Sequence, residues 1–194
     1  MERKYKLTDE CMQYKGHKLY RIQSLRSFSD VEEGELGGYI ESEDNLSHDG
    51  MCWVYEEAKV FGNAKVYNNA CVDNNACVYS YAKVFCNAEV RGDAKVFDCA
   101  EVRGDAKVYG KAKVCGDAKV YKNGDYIVFK NWWSSGRYFT WTRSNNKWKV
   151  GCFWGTGAEL INKAYEDSEL SGREYERVVK YVESILADEN AQKK

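Results

Sequence analysis

The segment from Ala58 to Val120 reads AKVFGN AKVYNN ACVDNN ACVYSY AKVFCN AEVRGD AKVFDC AEVRGD AKVYGK AKVCGD AKV. An alanine falls on every sixth residue, and a valine follows each alanine two places later. A fixed period is the mark of a repeat architecture, in which each unit buries its apolar face by stacking on its neighbours. A six-residue unit is too short for a pair of helices and suits a short strand with a turn. It predicts a parallel β-solenoid with alanine and valine pointing inward.

The remaining positions of the hexad indicate how the chain turns. Glycine recurs at one position and is often followed by Asn or Asp, as a tight corner with positive φ requires. With three hexads per coil and rungs about 4.8 Å apart, the stem would be roughly 20 Å long. Two hexads per coil is the alternative, and it would stack Arg91 on Arg103 and Phe85 on Phe97.

The repeat divides the chain into three parts and makes it a mainly β protein. Residues 1–51 are predicted to form an N-terminal β cap, because an open solenoid end would leave strand N–H and C=O groups unpaired. Residues 52–121 form the hexapeptide solenoid, and residues 122–194 form a small α+β domain. In that domain we expect three strands, at 126–130, 137–143 and 147–153. Two helices follow, each opened by a capping box: Thr156 with Glu159, and Ser171 with Glu174.

Composition and charge exclude several classes of function. The net charge of −1 predicts no whole-molecule attraction to nucleic acid or membranes. No apolar run could span a bilayer, and the first residues are too polar for a signal peptide, so we expect a cytoplasmic protein. The eight cysteines form no Cys-x-x-Cys pair, which favours reduced structural thiols over a metal site.

The hexads resemble those of left-handed β-helix proteins, the fold of hexapeptide acyltransferases and γ-class carbonic anhydrases, and this likeness implies a left-handed coil. The sequence GGYIESEDNLS at residues 37–47, with CWVY at residues 52–55, resembles the entry segment of bacterial and phage-borne hexapeptide-repeat proteins. Those proteins are described as polymer-forming or transferase-like. The likeness covers residues 18–121 and implies a capped solenoid without an established activity. Residues 125–185 resemble a segment attached to such solenoids in Gram-positive bacteria and their phages.

A catalytic site on the solenoid is not expected. The resemblance to acyltransferases implies a histidine base, but the two histidines, His17 and His48, lie outside the regular hexads. His48 occupies a position where the hexad would place valine, which indicates a partly buried histidine near the cap. A carbonic-anhydrase-like site would need three histidine ligands. We therefore predict a non-enzymatic protein without catalytic, cofactor or metal-binding residues.

Aromatic side chains follow the valine in most hexads. With three hexads per coil, Phe61, Tyr79 and Phe97 would form one ladder up a single face of the solenoid. A contiguous exposed apolar strip usually marks an interface. Contact with a second copy is the preferred interpretation, and it predicts a homo-oligomer, either a trimer or a dimer, built on Phe61, Tyr79 and Phe97.

The strands of the C-terminal domain are basic. Alternation predicts that Phe139, Trp141 and Trp148 face the helices. The opposite, open face would then carry hydroxyl and basic residues: Tyr138, Thr140, Thr142, Lys147 and Lys149. Such a face would suit the binding of nucleic acid. In addition, residues 150–165 resemble the third strand and helix of AP2-type DNA-binding domains. The alternative is the solvated face of an ordinary α+β domain.

These patterns predict a binding or scaffold protein whose solenoid oligomerises and presents the C-terminal domain to a macromolecular partner. The predicted contact residues are Trp132, Trp133, Arg137, Tyr138, Arg143, Lys147 and Lys149. The resemblance to phage-borne proteins suggests an inhibitor of a host bacterial protein, such as a defence component, acting in the host cytosol. Nucleic-acid binding, acyl transfer and sequestration of a small molecule are the alternatives.

Overall fold

A computed structural model describes residues 2–192. The N-terminal part is an antiparallel hairpin of β1 (Tyr5–Tyr14) and β2 (His17–Ser24). Strand β2 also pairs with β3 (Leu36–Ile40), and β3 pairs in parallel with the solenoid strand Lys59–Val60. The hairpin therefore continues one solenoid sheet beyond its end and covers its edge.

Twelve two-residue strands build the regular solenoid. They are β4 (Trp53–Val54), β5 (Lys59–Val60), β6 (Lys65–Val66), β7 (Cys71–Val72), β8 (Cys77–Val78), β9 (Lys83–Val84), β10 (Glu89–Val90), β11 (Lys95–Val96), β12 (Glu101–Val102), β13 (Lys107–Val108), β14 (Lys113–Val114) and β15 (Lys119–Val120). Each strand pairs in parallel with the strand three places along, so that Val60 lies beside Val78 and Val78 beside Val96. The coil therefore contains three hexads, which excludes the two-hexad alternative and confirms the parallel β-solenoid.

The core of the solenoid is a column of alanine and valine side chains. Every alanine of the hexads between Ala58 and Ala118 is completely buried, and the valines beside them are at most 1% exposed. Burying one valine side chain contributes about 1.5–3 kcal/mol to folding. The predicted corners are confirmed as well. At the glycine position even non-glycine residues adopt positive φ, between 57° and 61°: Asn68, Asn74, Ser80, Cys86 and Asp98.

The solenoid makes about five turns, because the chain enters the coil before the regular hexads begin. Ile40 lies beside Val60, and Leu46 forms a bridge with Val66. Leu46, rather than His48, thus occupies the valine position. The longer connection from Leu46 to Val54 displaces His48 from the hexad register, and its ring stacks on Tyr5 at 4.2 Å.

The C-terminal domain has four strands and two helices: β16 (Tyr126–Lys130), β17 (Tyr138–Thr142), β18 (Lys147–Val150), β19 (Phe153–Gly155), α1 (Gly157–Asp167) and α2 (Glu169–Ala191). The predicted third strand is divided because Gly151 adopts positive φ and starts a turn. The capping box of Thr156 and Glu159 begins α1 as predicted. Helix α2 begins earlier than predicted, since Ser168 caps it and Ser171 already lies inside it.

The face of the C-terminal sheet that was predicted to be open lies on the last coil of the solenoid. Thr140 and Thr142 are only 1% and 4% exposed. The last coil has no further coil to accept its backbone N–H groups, and side chains of the C-terminal domain accept them instead. Lys107 donates to Asn123 Oδ1, Lys113 to Thr140 Oγ1, and Lys119 to Ser144 Oγ, over 2.9, 2.9 and 2.6 Å. The sheet is therefore a C-terminal cap, and the prediction of an open face is wrong.

The helices cover the other face of this sheet. Phe139, Trp141 and Trp148 pack there against Leu160 of α1 and Val179 of α2, as alternation predicted. Within residues 2–192, neither helix is both long enough and apolar enough to cross a membrane.

Candidate binding surface

The loop between β16 and β17, residues 131–137, holds two adjacent tryptophans in different environments. We call it the tryptophan loop. Trp132 is 72% exposed, whereas Trp133 packs edge-on against Tyr175 with ring centroids 4.9 Å apart. Asn131 fixes the start of the loop: its Nδ2 donates to the hydroxyl of Tyr175 over 3.0 Å, and its Oδ1 accepts the N–H of Ser134 over 2.9 Å. Trp133 is thus a core anchor, and Trp132 is held out in solvent beside it.

Arg143 lies apart from the tryptophan loop in a structural ion pair. Its guanidinium donates two hydrogen bonds to the carboxylate of Glu189, over 2.7 and 3.0 Å, and a third to the carbonyl of Gly124. The same group lies 5.6 Å from the ring centroid of Trp141. These contacts tie the end of α2 to the sheet, so most donors of Arg143 are already used within the fold.

The two lysines of β18 lie on the same face of the sheet and make different contacts. Lys147 Nζ lies 3.9 Å from a carboxylate oxygen of Glu159 and 5.2 Å from the ring of Trp154. Lys149 Nζ donates to the carbonyl of Cys152 over 3.4 Å and lies 5.9 Å from the ring of Phe97 in the solenoid. Both lysines are therefore half-buried, and both are in contact with other groups of the chain.

Arg137 and Tyr138 line a cleft between the tryptophan loop and the solenoid. We call it the junction cleft. Its volume is about 420 Å³. It is lined by Asp93, Lys95, Lys111, Lys113, Gly136, Arg137, Tyr138 and Gly151. Tyr138 forms one wall, with Lys111 Nζ lying 5.3 Å from its ring centroid. Sequence reasoning missed the three lysines, although Lys95 and Lys113 share one hexad position exactly one coil apart.

The electrostatics of the junction cleft are dominated by positive charge. Burial lowers the pKa of Lys113, and the neighbouring charges of Lys95, Lys149 and Arg137 lower it further. Lys113 therefore has three cationic neighbours, which come from different parts of the chain. Such an arrangement disfavours an additional cation and favours an anionic ligand.

The predicted aromatic ladder exists, but one end of it is covered. Phe61 and Tyr79 stack at 5.1 Å, and Tyr79 and Phe97 stack at 5.0 Å with nearly parallel planes. Phe61 is only 2% exposed because Tyr14 and Leu19 of the N-terminal hairpin pack over it. Phe61 is therefore not available to a second copy of the chain, whereas Tyr79 and Phe97 remain half-buried.

Both histidines lie at the N-terminal end of the solenoid, away from the junction cleft. His17 Nδ1 is 2.9 Å from Glu41 Oε1, and that carboxylate also accepts the N–H of Gly62 over 2.7 Å. His48 Nδ1 accepts the N–H of Lys4 over 3.2 Å. Within residues 2–192, no group of three or more His, Cys, Asp or Glu side chains is arranged to hold a metal ion.

Comparison with known proteins gives a partial match. No protein-family model matches the chain. The chain is 38% identical over 69 residues to an uncharacterized acetyltransferase, YdcK, of Escherichia coli (strain K12). The match covers 31% of this chain and 21% of that protein, so the chain spans about a fifth of the length of this curated relative. This similarity agrees with a hexapeptide-repeat solenoid.

Proposed function

We propose that this chain is a non-enzymatic binding protein in which a capped solenoid serves as a rigid scaffold and the tryptophan loop contacts a macromolecular partner. The observation that carries this proposal is the exposure of Trp132 on a loop fixed by Asn131 and Trp133. Tryptophan is enriched among the residues that dominate interface energies, and a rigid loop loses little entropy when it binds. Arg137, in the same loop, supplies a charged side chain at the rim of the proposed interface.

We propose a protein rather than nucleic acid as this partner. The basic face of the sheet lies on the solenoid, and Arg143 and Lys147 have carboxylate partners within the domain. Trp132 offers a single apolar anchor rather than a row of stacking platforms. Both features favour docking of a protein surface.

A narrower form of the proposal concerns the identity of the partner. The entry segment at residues 37–47 resembles that of phage-borne solenoid proteins, which supports a host bacterial protein as the target. Binding would then inhibit that protein, for example a defence component, in the bacterial cytosol. An inhibitor of this kind needs only a stable surface, and the capped solenoid provides one.

The test is affinity capture of the full chain from bacterial lysate, with and without nuclease. We expect one protein to be retained in both samples and retention to fall at least tenfold with Trp132→Ala. Tyr81→Ala is the matched control, because Tyr81 is an aromatic residue 63% exposed on the solenoid. Retention that survives Trp132→Ala would contradict the proposed surface. Loss on nuclease treatment would favour nucleic acid.

Acyl transfer is the second candidate, supported by the partial similarity to the E. coli acetyltransferase. It predicts that purified protein binds coenzyme A. Calorimetry with coenzyme A tests it directly, since an acyl donor must bind before transfer. Binding at micromolar concentration would favour an enzyme, and the absence of heat would leave the binding protein as the better proposal.

A further inference from the structure

The junction cleft continues into a second groove, and together they concentrate positive charge. The second groove, about 370 Å³ in volume, shares Lys95 and Lys113 with the first and adds Lys149. Five cationic side chains therefore line the two grooves, against a single carboxylate, that of Asp93. The five are Lys95, Lys111, Lys113, Arg137 and Lys149.

Three separate parts of the chain place these cations. Lys95 and Lys113 are direct neighbours in parallel strands β11 and β14, so their side chains leave the solenoid about 4.8 Å apart. The tryptophan loop contributes Arg137, and strand β18 contributes Lys149. The cluster therefore exists only because the C-terminal domain is docked on this face of the solenoid.

The cations of the cleft have no acidic partners in the part of the chain that the structure describes. None of the five forms an ion pair within residues 2–192. On the adjacent face, by contrast, Glu89 pairs with Lys107 over 2.9 Å and with Arg91 over 3.0 Å. Burial is the main cause of the lowered pKa of Lys113, and repulsion by the like charges of Lys95, Lys149 and Arg137 adds to it. A bound anion would relieve this repulsion.

We propose that the junction cleft binds a ligand that carries two or more phosphate groups. Phosphate oxygens accept hydrogen bonds from both ammonium and guanidinium groups, and several phosphates are needed to balance five cations. The cleft is open to such a ligand at Gly136 and Gly151, where an added Cβ would meet no atom within 4 Å. Its volume lies in the range of small-molecule sites.

Two sources supply this chemistry: a small polyphosphate compound, such as a nucleoside triphosphate, or the backbone of a single-stranded nucleic acid. Both would place successive phosphates along the row formed by Lys95 and Lys113. The site adjoins the proposed protein-docking surface, because Arg137 belongs to both, but Trp132 does not line it. The two proposals can therefore be tested separately, with Trp132→Ala for the protein partner and Lys95→Gln/Lys113→Gln for the polyphosphate ligand.

The experiment is isothermal titration of the purified full chain with three probes: inorganic tripolyphosphate, ATP and a ten-nucleotide single-stranded DNA. The test variant is Lys95→Gln/Lys113→Gln. The matched control is Lys65→Gln/Lys83→Gln, a pair that is equally stacked between neighbouring coils on another face and is exposed. Both variants remove two positive charges, so they separate the cleft from a general charge effect. Thermal unfolding of both variants verifies the fold.

We expect at least one probe to bind and its affinity to fall at least tenfold in Lys95→Gln/Lys113→Gln, with less than a twofold change in the control. Arg137→Gln should weaken binding as well, whereas Trp132→Ala should not. Equal affinity for tripolyphosphate and ATP would identify a small polyphosphate ligand. Tighter binding of the oligonucleotide would identify a nucleic-acid backbone. Failure of all three probes to bind, or equal losses in both variants, would overturn the proposal.

Discussion

Lys113 of the last solenoid coil donates its backbone N–H to Oγ1 of Thr140, in the middle of the C-terminal sheet, over 2.9 Å. In the preceding coil the equivalent donor, Lys95, bonds to the carbonyl of Ala112 over 2.9 Å. A side-chain hydroxyl thus replaces the carbonyl of a missing coil. The solenoid ends without an unpaired strand at this face, because the C-terminal domain continues its hydrogen bonding.

This relationship predicts that Thr140→Val destabilises the protein. Valine has nearly the same shape but leaves the buried N–H of Lys113 without an acceptor, which should cost about 1–3 kcal/mol in the free energy of unfolding. Thr8→Val is the control, since the buried Oγ1 of Thr8 has no hydrogen-bond partner. Urea unfolding of both variants measures the difference. Equal stability of the two would show that the cap does not depend on this bond.

A second prediction concerns the contact between Gly116 and Trp154. A Cβ at Gly116 would lie 2.5 Å from a ring carbon of Trp154, whereas a Cβ at Gly110 would meet nothing within 4 Å. Both glycines have φ of +68°, so alanine at either site carries the same backbone strain of about 1–2 kcal/mol. We expect Gly116→Ala to be the more destabilising, because it must also displace Trp154. Urea unfolding measures the two stabilities. Equal losses in the free energy of unfolding would show that Trp154 does not lie against Gly116.

A third prediction separates a structural arginine from a surface arginine. Arg143→Lys retains the charge but loses the paired hydrogen bonds to Glu189, and it should lower the unfolding free energy by about 1–2 kcal/mol. Arg137→Lys should leave stability unchanged, since the side chain of Arg137 lines the open junction cleft. Thermal unfolding of the two variants at one pH makes the comparison. Unchanged stability of the Arg143→Lys variant would show that Arg143 has no structural role.

A fourth prediction follows from the thiols. Burial raises the pKa of Cys115 to about 11, so at pH 8 only roughly a thousandth of this thiol is the reactive thiolate. Cys11, Cys99 and Cys152 are exposed. We expect alkylation at pH 8, followed by mass spectrometry, to modify these three well before Cys115. Raising the pH towards 11 should accelerate labelling of Cys115, and rapid labelling at pH 8 would contradict its burial.

A fifth prediction tests self-association as a dimer or trimer, which we propose as part of the scaffold function. The remaining half-buried surface of the aromatic ladder is formed by Tyr79 and Phe97, so Phe97→Ser should shift the protein towards monomer in sedimentation velocity. Tyr121→Ser, an exposed aromatic on another face, is the control. A wild-type protein that sediments as a monomer would refute this proposal.

The sequence predicted the solenoid well because its alanine and valine positions are set by a local rule that repeats in every coil. The corners at residues such as Asn68 and Gly62 follow the same rule. The first coil was harder to predict, since the connection from Leu46 to Val54 departs from the period and moved His48 out of the valine position. An irregular coil is stabilised by tertiary contacts, so a periodic sequence pattern does not predict it.

The candidate site was less predictable for a related reason. Alternation correctly placed Phe139, Trp141 and Trp148 under the helices, but it cannot tell whether the opposite face meets solvent or another part of the chain. That face met the solenoid, which buried Thr140 and brought Lys149 towards Lys113. Similarly, nothing in the adjacent pair Trp132 and Trp133 indicates which one enters the core, because the answer depends on where Tyr175 of a distant helix lies.

The three-hexad coil also restricts how the length of this protein can change. Insertion or deletion of one hexad would rotate the C-terminal domain by about a third of a turn relative to the N-terminal hairpin. Only an 18-residue step restores the same face under both caps, as the pairing of Val60 with Val78 shows. Each added coil would therefore lengthen the protein by about 4.8 Å and leave the relative orientation of its two ends unchanged.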